Sequence, residues 1–364
     1  MTRIDVTKPF LPPVEEYIHY VEKVWQSNQL TNQGPFLREF EREVSAKLEI
    51  ESNSFQFVAN GTIALQVALK ALGVSDGEVI TTPFSYVATT SAILWERCKP
   101  VYVDINPDTY CIDASKIERA ITPRTRAIVA VHVFGNPCEV DKINEIAQRH
   151  NLKVIYDAAH AFGVKYNNQS LLKYGDISTC SFHATKLFHT VEGGAIICHD
   201  KRVNEEVDLI KRFGHIGDDH QKLGINAKSS ELNAAMGLCN LKYIDQIIEK
   251  RKLLSDVYNK HLSNIIKTMH VENNTVQNYA YYPIMLHDEK STLKLIELLN
   301  SNDIYPRRYF YPSLNTLPYV KGKKSCPVSE DTAVRILCLP LFYELTVSEV
   351  ELICGLIKEM LNDV

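Results

Sequence analysis

The chain has 364 residues, with 40 Lys plus Arg against 44 Asp plus Glu and a formal net charge of −4. Hydrophobic residues make up 45% and charged residues 23%, which excludes a disordered chain and suits a large soluble domain with a smaller one beside it. The slight acidity argues against nucleic-acid binding, no window approaches the ~18 consecutive apolar residues of a membrane span, and Met1 to Pro13 lacks a signal-peptide core.

In chain order, Lys8 to Phe36 mixes prolines with a short helical pattern at Glu15 to Trp25. It then gives Leu30-Thr31-Asn32-Gln33-Gly34-Pro35, punctuated as a loop. A helix is expected from Leu37 to Leu48. From Phe55 onward β-rich runs appear at Phe55–Val58, Val79–Thr82, Pro100–Val103, Ala127–Val131, Val154–Tyr156, Thr179–Phe182 and Ala195–Cys198. Helical patterns lie between most of them, at Thr62–Leu72, Val87–Trp95, Ala114–Ala120 and Glu139–His150. The β runs lack clean alternation, as strands buried on both faces do, so the alternation predicts a three-layer α/β domain with a mostly parallel sheet.

After Asp200 the pattern changes. Lys201–Phe213 and Ser230–Leu262 read as long helices, followed by strands at Tyr279–Leu286 and Ile304–Arg307 and helices at Ser291–Ser301 and Thr346–Leu361. This predicts a small C-terminal α+β domain, residues 246–364, after a large domain of residues 1–245. The nine cysteines are odd in number, scattered and without a C-x-x-C pair, which argues against a disulfide framework and a zinc site. They read as small core residues in a reducing cytoplasm, and no metal is expected.

Three segments could carry chemistry. Ser181-Phe182-His183-Ala184-Thr185-Lys186 leaves a strand end, and Glu192-Gly193-Gly194 leads into the next strand. Open α/β folds place ligands at that edge, where a desolvated Lys can form a Schiff base with an aldehyde cofactor. Read alone, Lys186 is better explained as a solvated surface lysine. In Tyr156-Asp157-Ala158-Ala159-His160 a carboxylate ends a buried strand. It could keep a pyridine nitrogen protonated, or simply cap a helix. Asn60-Gly61-Thr62 is a strand–turn–helix junction whose free N–H groups would attract a phosphate. Phosphate cradle, pyridinium carboxylate and Schiff-base lysine occur in the chain order of the fold-type I pyridoxal phosphate enzymes.

On these runs the chain resembles the DegT/DnrJ/EryC1/StrS family of nucleotide-sugar aminotransferases, from Leu30-Thr31-Asn32 to Cys338-Leu339-Pro340-Leu341. The resemblance implies the fold-type I aminotransferase fold and pyridoxal 5′-phosphate as cofactor. Lys186 would be the Schiff-base lysine and proton shuttle, and Asp157 the partner of the ring nitrogen. Gly61, Thr62 and Ser181 would hold the phosphate, Tyr86 would stack on the ring, and His160 would sit near the ring hydroxyl. Asn226 would reach the neighbouring subunit's cofactor phosphate, which implies a homodimer with shared active sites. Thr31, Asn32, His183 and the run Arg307-Arg308-Tyr309 fall where relatives meet the nucleotide-sugar, with at most one of the two arginines facing the site.

Relatives that dehydrate sugars carry His at the Schiff-base position. Lys186 therefore implies amination, with L-glutamate as donor. Ser-Phe-His-x-x-Lys with Glu-Gly-Gly is similar to relatives acting on a 4-keto carbon; those acting on a 3-keto carbon read Ser-Phe-Tyr-Pro-Gly-Lys and Gly-Asp-Gly-Gly. The expected substrate is dTDP-4-keto-6-deoxy-D-glucose, for amino sugars of bacterial surface glycans such as O-antigen. The competing readings are a C3 aminotransferase, a cysteine desulfurase, for which no cysteine is marked by its surroundings, and a regulatory or binding protein on the same scaffold.

Overall fold

The strands of the central sheet are apolar at consecutive positions because both of its faces are covered. The computed structural model describes residues 3–322 and 324–362. Seven strands lie in the order Phe55–Val58, Gly194–Ile197, Ile177–Ser181, Lys153–Asp157, Thr125–Val131, Glu78–Thr81 and Lys99–Tyr102. Only Gly194–Ile197 runs antiparallel to its neighbours; the other pairings are parallel. Phe57, Ile80, Ile128, Tyr156 and Ile197 join the apolar cluster of one layer, and Val58, Val79, Val129, Ile155 and Ile196 that of the other. This is the three-layer, mostly parallel α/β arrangement expected from the missing alternation.

The helices in chain order are α1 (Val14–Ser27), α2 (Pro35–Lys47), α3 (Gly61–Ala71), α4 (Val87–Trp95), α5 (Val140–Arg149), α6 (Lys201–Lys211), α7 (Glu231–Leu241) and α8 (Ile244–Leu262). α3 and α6 bury Leu65, Ala68, Val207 and Ile210 in one layer. α2, α5 and α7 bury Phe40, Val44, Ile143, Ile146, Ala234 and Leu238 in the other. Beyond them come α9 (Glu289–Ser301), α10 (Pro327–Arg335) and α11 (Val347–Asn362). A three-stranded sheet, ordered Lys267–Thr268, Tyr282–Met285, Ile336–Leu339, shares a separate apolar cluster with α8 and α11. Ile4–Asp5 pairs in parallel with Ile304–Tyr305, so the start of the chain joins this C-terminal layer.

Several elements differ from the sequence reading. Ser230–Leu262 is not one helix: it breaks between α7 and α8, where Lys242 and Tyr243 turn to meet the Glu16 carboxylate of α1. No Gly or Pro marks that break. Ala114–Ala120 forms two short 3-10 turns in place of a regular helix. The strand expected at Tyr279–Leu286 starts only at Tyr282, because Tyr279 adopts a left-handed conformation (φ 54°). The strand at Ile336–Leu339 and helix α10 were not anticipated, nor were the hairpins Lys165–Tyr166 with Gln169–Ser170 and His215–Ile216 with Asp219–His220.

The loop before α2 is fixed by a carboxylate from α7. Glu231 is fully buried and accepts hydrogen bonds from Phe36 N (2.8 Å) and Leu37 N (3.0 Å), two of the free donors at the α2 N-terminus. A Cβ at Gly34 would stand 2.4 Å from Glu231 Cδ, so that residue must be glycine for the close approach. Its φ of −67° suits any residue, so Gly34→Ala isolates the clash. The substitution should lower stability by about 2–3 kcal/mol, the scale of charged buried hydrogen bonds being displaced. A denaturant titration reads this as a lower midpoint; an unchanged midpoint would contradict the contact.

Candidate active site

The carboxyl ends of the parallel strands meet at one edge of the sheet, where crossovers leave a crevice. A cavity of about 290 Å³ opens there. It is lined by Asn60, Gly61 and Thr62 after the first strand, Ser85 and Tyr86 before α4, Asp157 and His160, and Ser181, His183, Lys186 and Glu192. Tyr281, Arg307, Tyr309 and Phe310 close it from the C-terminal part of the chain.

Asp157 is the last residue of its strand and is buried. Its Oδ2 accepts from the Thr89 hydroxyl (2.7 Å), which is 2.8 Å from the Ser85 hydroxyl, and its Oδ1 accepts from Ala159 N (3.2 Å). Burial raises its pKa, opposed by the Thr89 and Ala159 hydrogen bonds and by the charge of Lys186. No helix follows Asp157, so it is not a helix cap. Lys186 follows a short turn in which its N–H bonds His183 O. Burial pushes its amine down to about 8, with Asp157 and then Tyr86 pulling the other way.

His160 Nδ1 accepts from Phe134 N (3.1 Å), which assigns the ring proton to Nε2 and leaves that donor for the cavity. The ring lies parallel to Phe134 and Phe310, at 6.1 and 5.7 Å between centroids, with Tyr281 4.6 Å away. Burial drives its pKa well down, so the imidazole is neutral. At the N-terminus of α3, Asn60 Oδ1 caps Ile63 N (2.9 Å). The N–H groups of Gly61 and Thr62 precede the first intrahelical donor, and both residues line the cavity with Ser181. A Cβ on Gly61 would stand 2.9 Å from Ser181 Cβ, so glycine lets the two backbones approach. Tyr86 is 60% exposed, so it is a cavity wall rather than core.

This donor set fits pyridoxal phosphate. A helix N-terminus with a hydroxyl beside it suits a phosphate. The buried Asp157 carboxylate has hydroxyl and amide donors but no cation at hydrogen-bond distance among the described residues, which suits a protonated ring nitrogen. Lys186 supplies the amine.

Arg307 and Arg308 separate. Arg307 lines the cavity with its guanidinium 5.3 Å from the Tyr309 ring centroid, while Arg308 turns away to pair with Glu289 (3.0 Å) and stack on Tyr311. Thr31, Asn32 and Asn226 do not enter the cavity. They line an adjoining groove of about 410 Å³ with Ala59, Lys228, Ser229, Ser230 and Asn233. Thr89, Glu192, Tyr281 and Phe310 were not anticipated as site residues. Thr89 stands three residues after Tyr86, one helical turn, which is a readable spacing; Tyr281 and Phe310 arrive from distant loops with no local signal. All nine cysteines are buried and unpaired, so none is the mobile nucleophile of a desulfurase.

The DegT/DnrJ/EryC1/StrS aminotransferase family profile matches residues 13–358. A dTDP-4-amino-4,6-dideoxy-D-glucose transaminase of Shigella dysenteriae is 44% identical over 98% of this chain and 99% of its own length. Among solved structures, DesI in the presence of its TDP-sugar product superposes with a TM-score of 0.93 at 29% identity, covering 99% of this chain and 93% of that one. NtdA of Bacillus subtilis with bound cofactor PMP gives 0.89 at 28% identity, over 96% and 82%. The chain therefore belongs to the DegT/DnrJ/EryC1/StrS aminotransferase family.

Proposed function

We propose that this protein transfers an amino group from L-glutamate to C4 of dTDP-4-keto-6-deoxy-D-glucose, in the cytoplasm, toward amino sugars of surface glycans. The observation that carries the reading is the meeting of Lys186, Asp157 and the α3 N-terminus in one cavity, in a chain 44% identical to a transaminase of that name. His183 and Glu192, the residues that match the 4-keto pattern, both line the cavity with their side chains 3.5 Å apart. A regulatory role on the same scaffold would leave the desolvated Lys186 and the buried Asp157 without a task.

When bound, pyridoxal phosphate supplies an aldehyde that carries the amino group and a protonated ring that stabilises negative charge at the reacting carbon. Gly61, Thr62 and Ser181 would hold its phosphate, and Tyr86 would offer an aromatic face to the ring. Asp157 keeps a proton on the ring nitrogen, with Thr89 fixing the carboxylate. His160 donates from Nε2 without changing its own charge. Lys186 Nζ, whose burial lowers the cost of giving up its proton, carries the proton in both half-reactions. Arg307 offers a forked cation to the nucleotide-sugar's phosphates. Asn226 serves the partner subunit's phosphate in a homodimer with shared sites. The exposed apolar residues Phe213, Ile216, Leu223 and Ile225, just before it, support a buried contact there. The reading keeps residues 1–245 as the cofactor-binding part and 246–364 as the smaller one, supported by the separate cluster around Leu254 and Ile353.

Lys186→Ala should reduce turnover by about a thousandfold or more, the scale of a lost general acid–base. Near-normal turnover would contradict its role. Covalent capture of added pyridoxal phosphate by apoprotein should accelerate as pH rises through about 8, where Lys186 loses its proton. Asp157→Asn removes the anion that favours the ammonium, so the midpoint should move to lower pH; a midpoint that stays or rises would contradict the coupling.

The substrate reading is tested with a panel of dTDP- and UDP-keto-sugars and glutamate, the product carbon being identified by NMR. Amination at C4 of dTDP-4-keto-6-deoxy-D-glucose should exceed amination of its 3-keto isomer by on the order of a hundredfold, since ~1 Å of misplacement costs that much. Faster reaction at C3 would overturn the substrate and leave the aminotransferase intact.

A further inference from the structure

Glu192 reaches the cavity from an unusual turn. Val191, before it, sits at φ 67°, in the left-handed region that β-branched residues avoid, and its side chain is 47% exposed, so no apolar packing explains the conformation. Such a backbone persists only where its surroundings over-determine it, and those surroundings are specific.

The carbonyls on either side of Val191 point at one side chain. Asn233 Nδ2 donates to Thr190 O (2.8 Å) and to Glu192 O (2.9 Å). The amide cannot flip without loss, because the Ser230 hydroxyl donates to Asn233 Oδ1. Val191 N donates to His189 Nδ1 (3.2 Å), whose Nε2 bonds Phe10 O (2.7 Å), and Asn240 Nδ2 holds His189 O (2.9 Å). The Thr190 hydroxyl closes the turn on Glu192 O (2.8 Å). Two asparagines of α7, one turn of the active-site wall and a strained valine thus form one unit.

That unit aims the Glu192 side chain. His183 Nδ1 accepts from Thr185 N (3.3 Å), leaving Nε2, which stands 3.5 Å from Glu192 Oε1 at the cavity mouth. Both side chains are about half exposed, so neither is held by burial, and the carboxylate stays beside the imidazole only if the backbone of Glu192 is fixed. A ring N–H beside a carboxylate offers the donor and acceptors that sugar hydroxyls need. An amino-acid donor has no ring hydroxyls for such a pair to meet, so the pair belongs to the sugar half-reaction.

We propose that Asn233 is a positioning residue for the nucleotide-sugar: it clamps the Thr190–Glu192 turn with Val191 in the left-handed conformation and so holds the Glu192 carboxylate beside His183. Asn233 also lines the groove that contains Asn226, so what fills that groove meets the clamp directly. The inference rests on the aminotransferase reading but not on which sugar is used.

The test separates the two half-reactions in Asn233→Ala, Glu192→Ala, the double variant, and Asn233→Ala combined with Val191→Gly. The sugar is whichever one the unaltered protein aminates, so a failed substrate assignment changes the sugar and not the comparison. Asn233→Ala should lower kcat/KM for the nucleotide-sugar about tenfold, while the donor half-reaction, followed from cofactor absorbance with amino acid alone, stays within about twofold. In the Glu192→Ala background the Asn233 change should cost nothing further. Glycine is at ease at positive φ, so Val191→Gly should recover a good part of the loss. Equal losses in both half-reactions, an undiminished effect without Glu192, or no effect at all would overturn the proposal.

Discussion

The structure is organised around a carboxylate that the protein itself does not neutralise at close range. Asp157 ends a central strand, is buried, and is met by a hydroxyl and an amide but by no cation at hydrogen-bond distance among the described residues. Leaving a buried charge without a partner is costly. Thr89, backed by Ser85, keeps one oxygen in place, Ala159 N holds the other, and Lys186 contributes a charge that its own burial weakens. In the proposed reading, a cationic ring would complete the arrangement.

The rest of the molecule arranges the other cavity walls around that carboxylate. The parallel strands end together, so the loop after each one opens on the same edge. Close approach of Gly61 to Ser181 sets the α3 N-terminus against the same rim, and the C-terminal part supplies Tyr281, Arg307, Tyr309 and Phe310 as the opposite wall. Phe134, His160 and Phe310 lie with near-parallel rings, 5.7 to 6.1 Å apart in each pair, and join the two walls, with burial holding His160 neutral.

Residues that signal locally were legible in the sequence. The strand Phe55–Val58 and the helix Val87–Trp95 have the bounds read from the sequence; Asn60-Gly61 follows the strand and Pro83 precedes the helix. Gly61, Asp157, Ser181, His183 and Lys186 fall at ends of buried runs, where an α/β sheet must open, and all line the one cavity. What failed to show depends on partners far along the chain. The break between α7 and α8 is made by Glu16, more than two hundred residues earlier, and two-residue strands such as Lys165–Tyr166 are too short for any periodicity. Which of two adjacent arginines faces the cavity follows from Glu289 and Tyr311 capturing Arg308. Glu192 was visible as a motif letter, but the clamp on its backbone exists only once α7 packs against the turn.

The most direct measurement is nitrogen-15 NMR of holoprotein carrying cofactor labelled at the ring nitrogen. If Asp157 is the partner that the buried site awaits, the nitrogen is protonated at pH 8 in the unaltered protein and loses that proton in Asp157→Asn. A neutral ring nitrogen in the unaltered protein, or the same protonated signal in both proteins, would contradict the account.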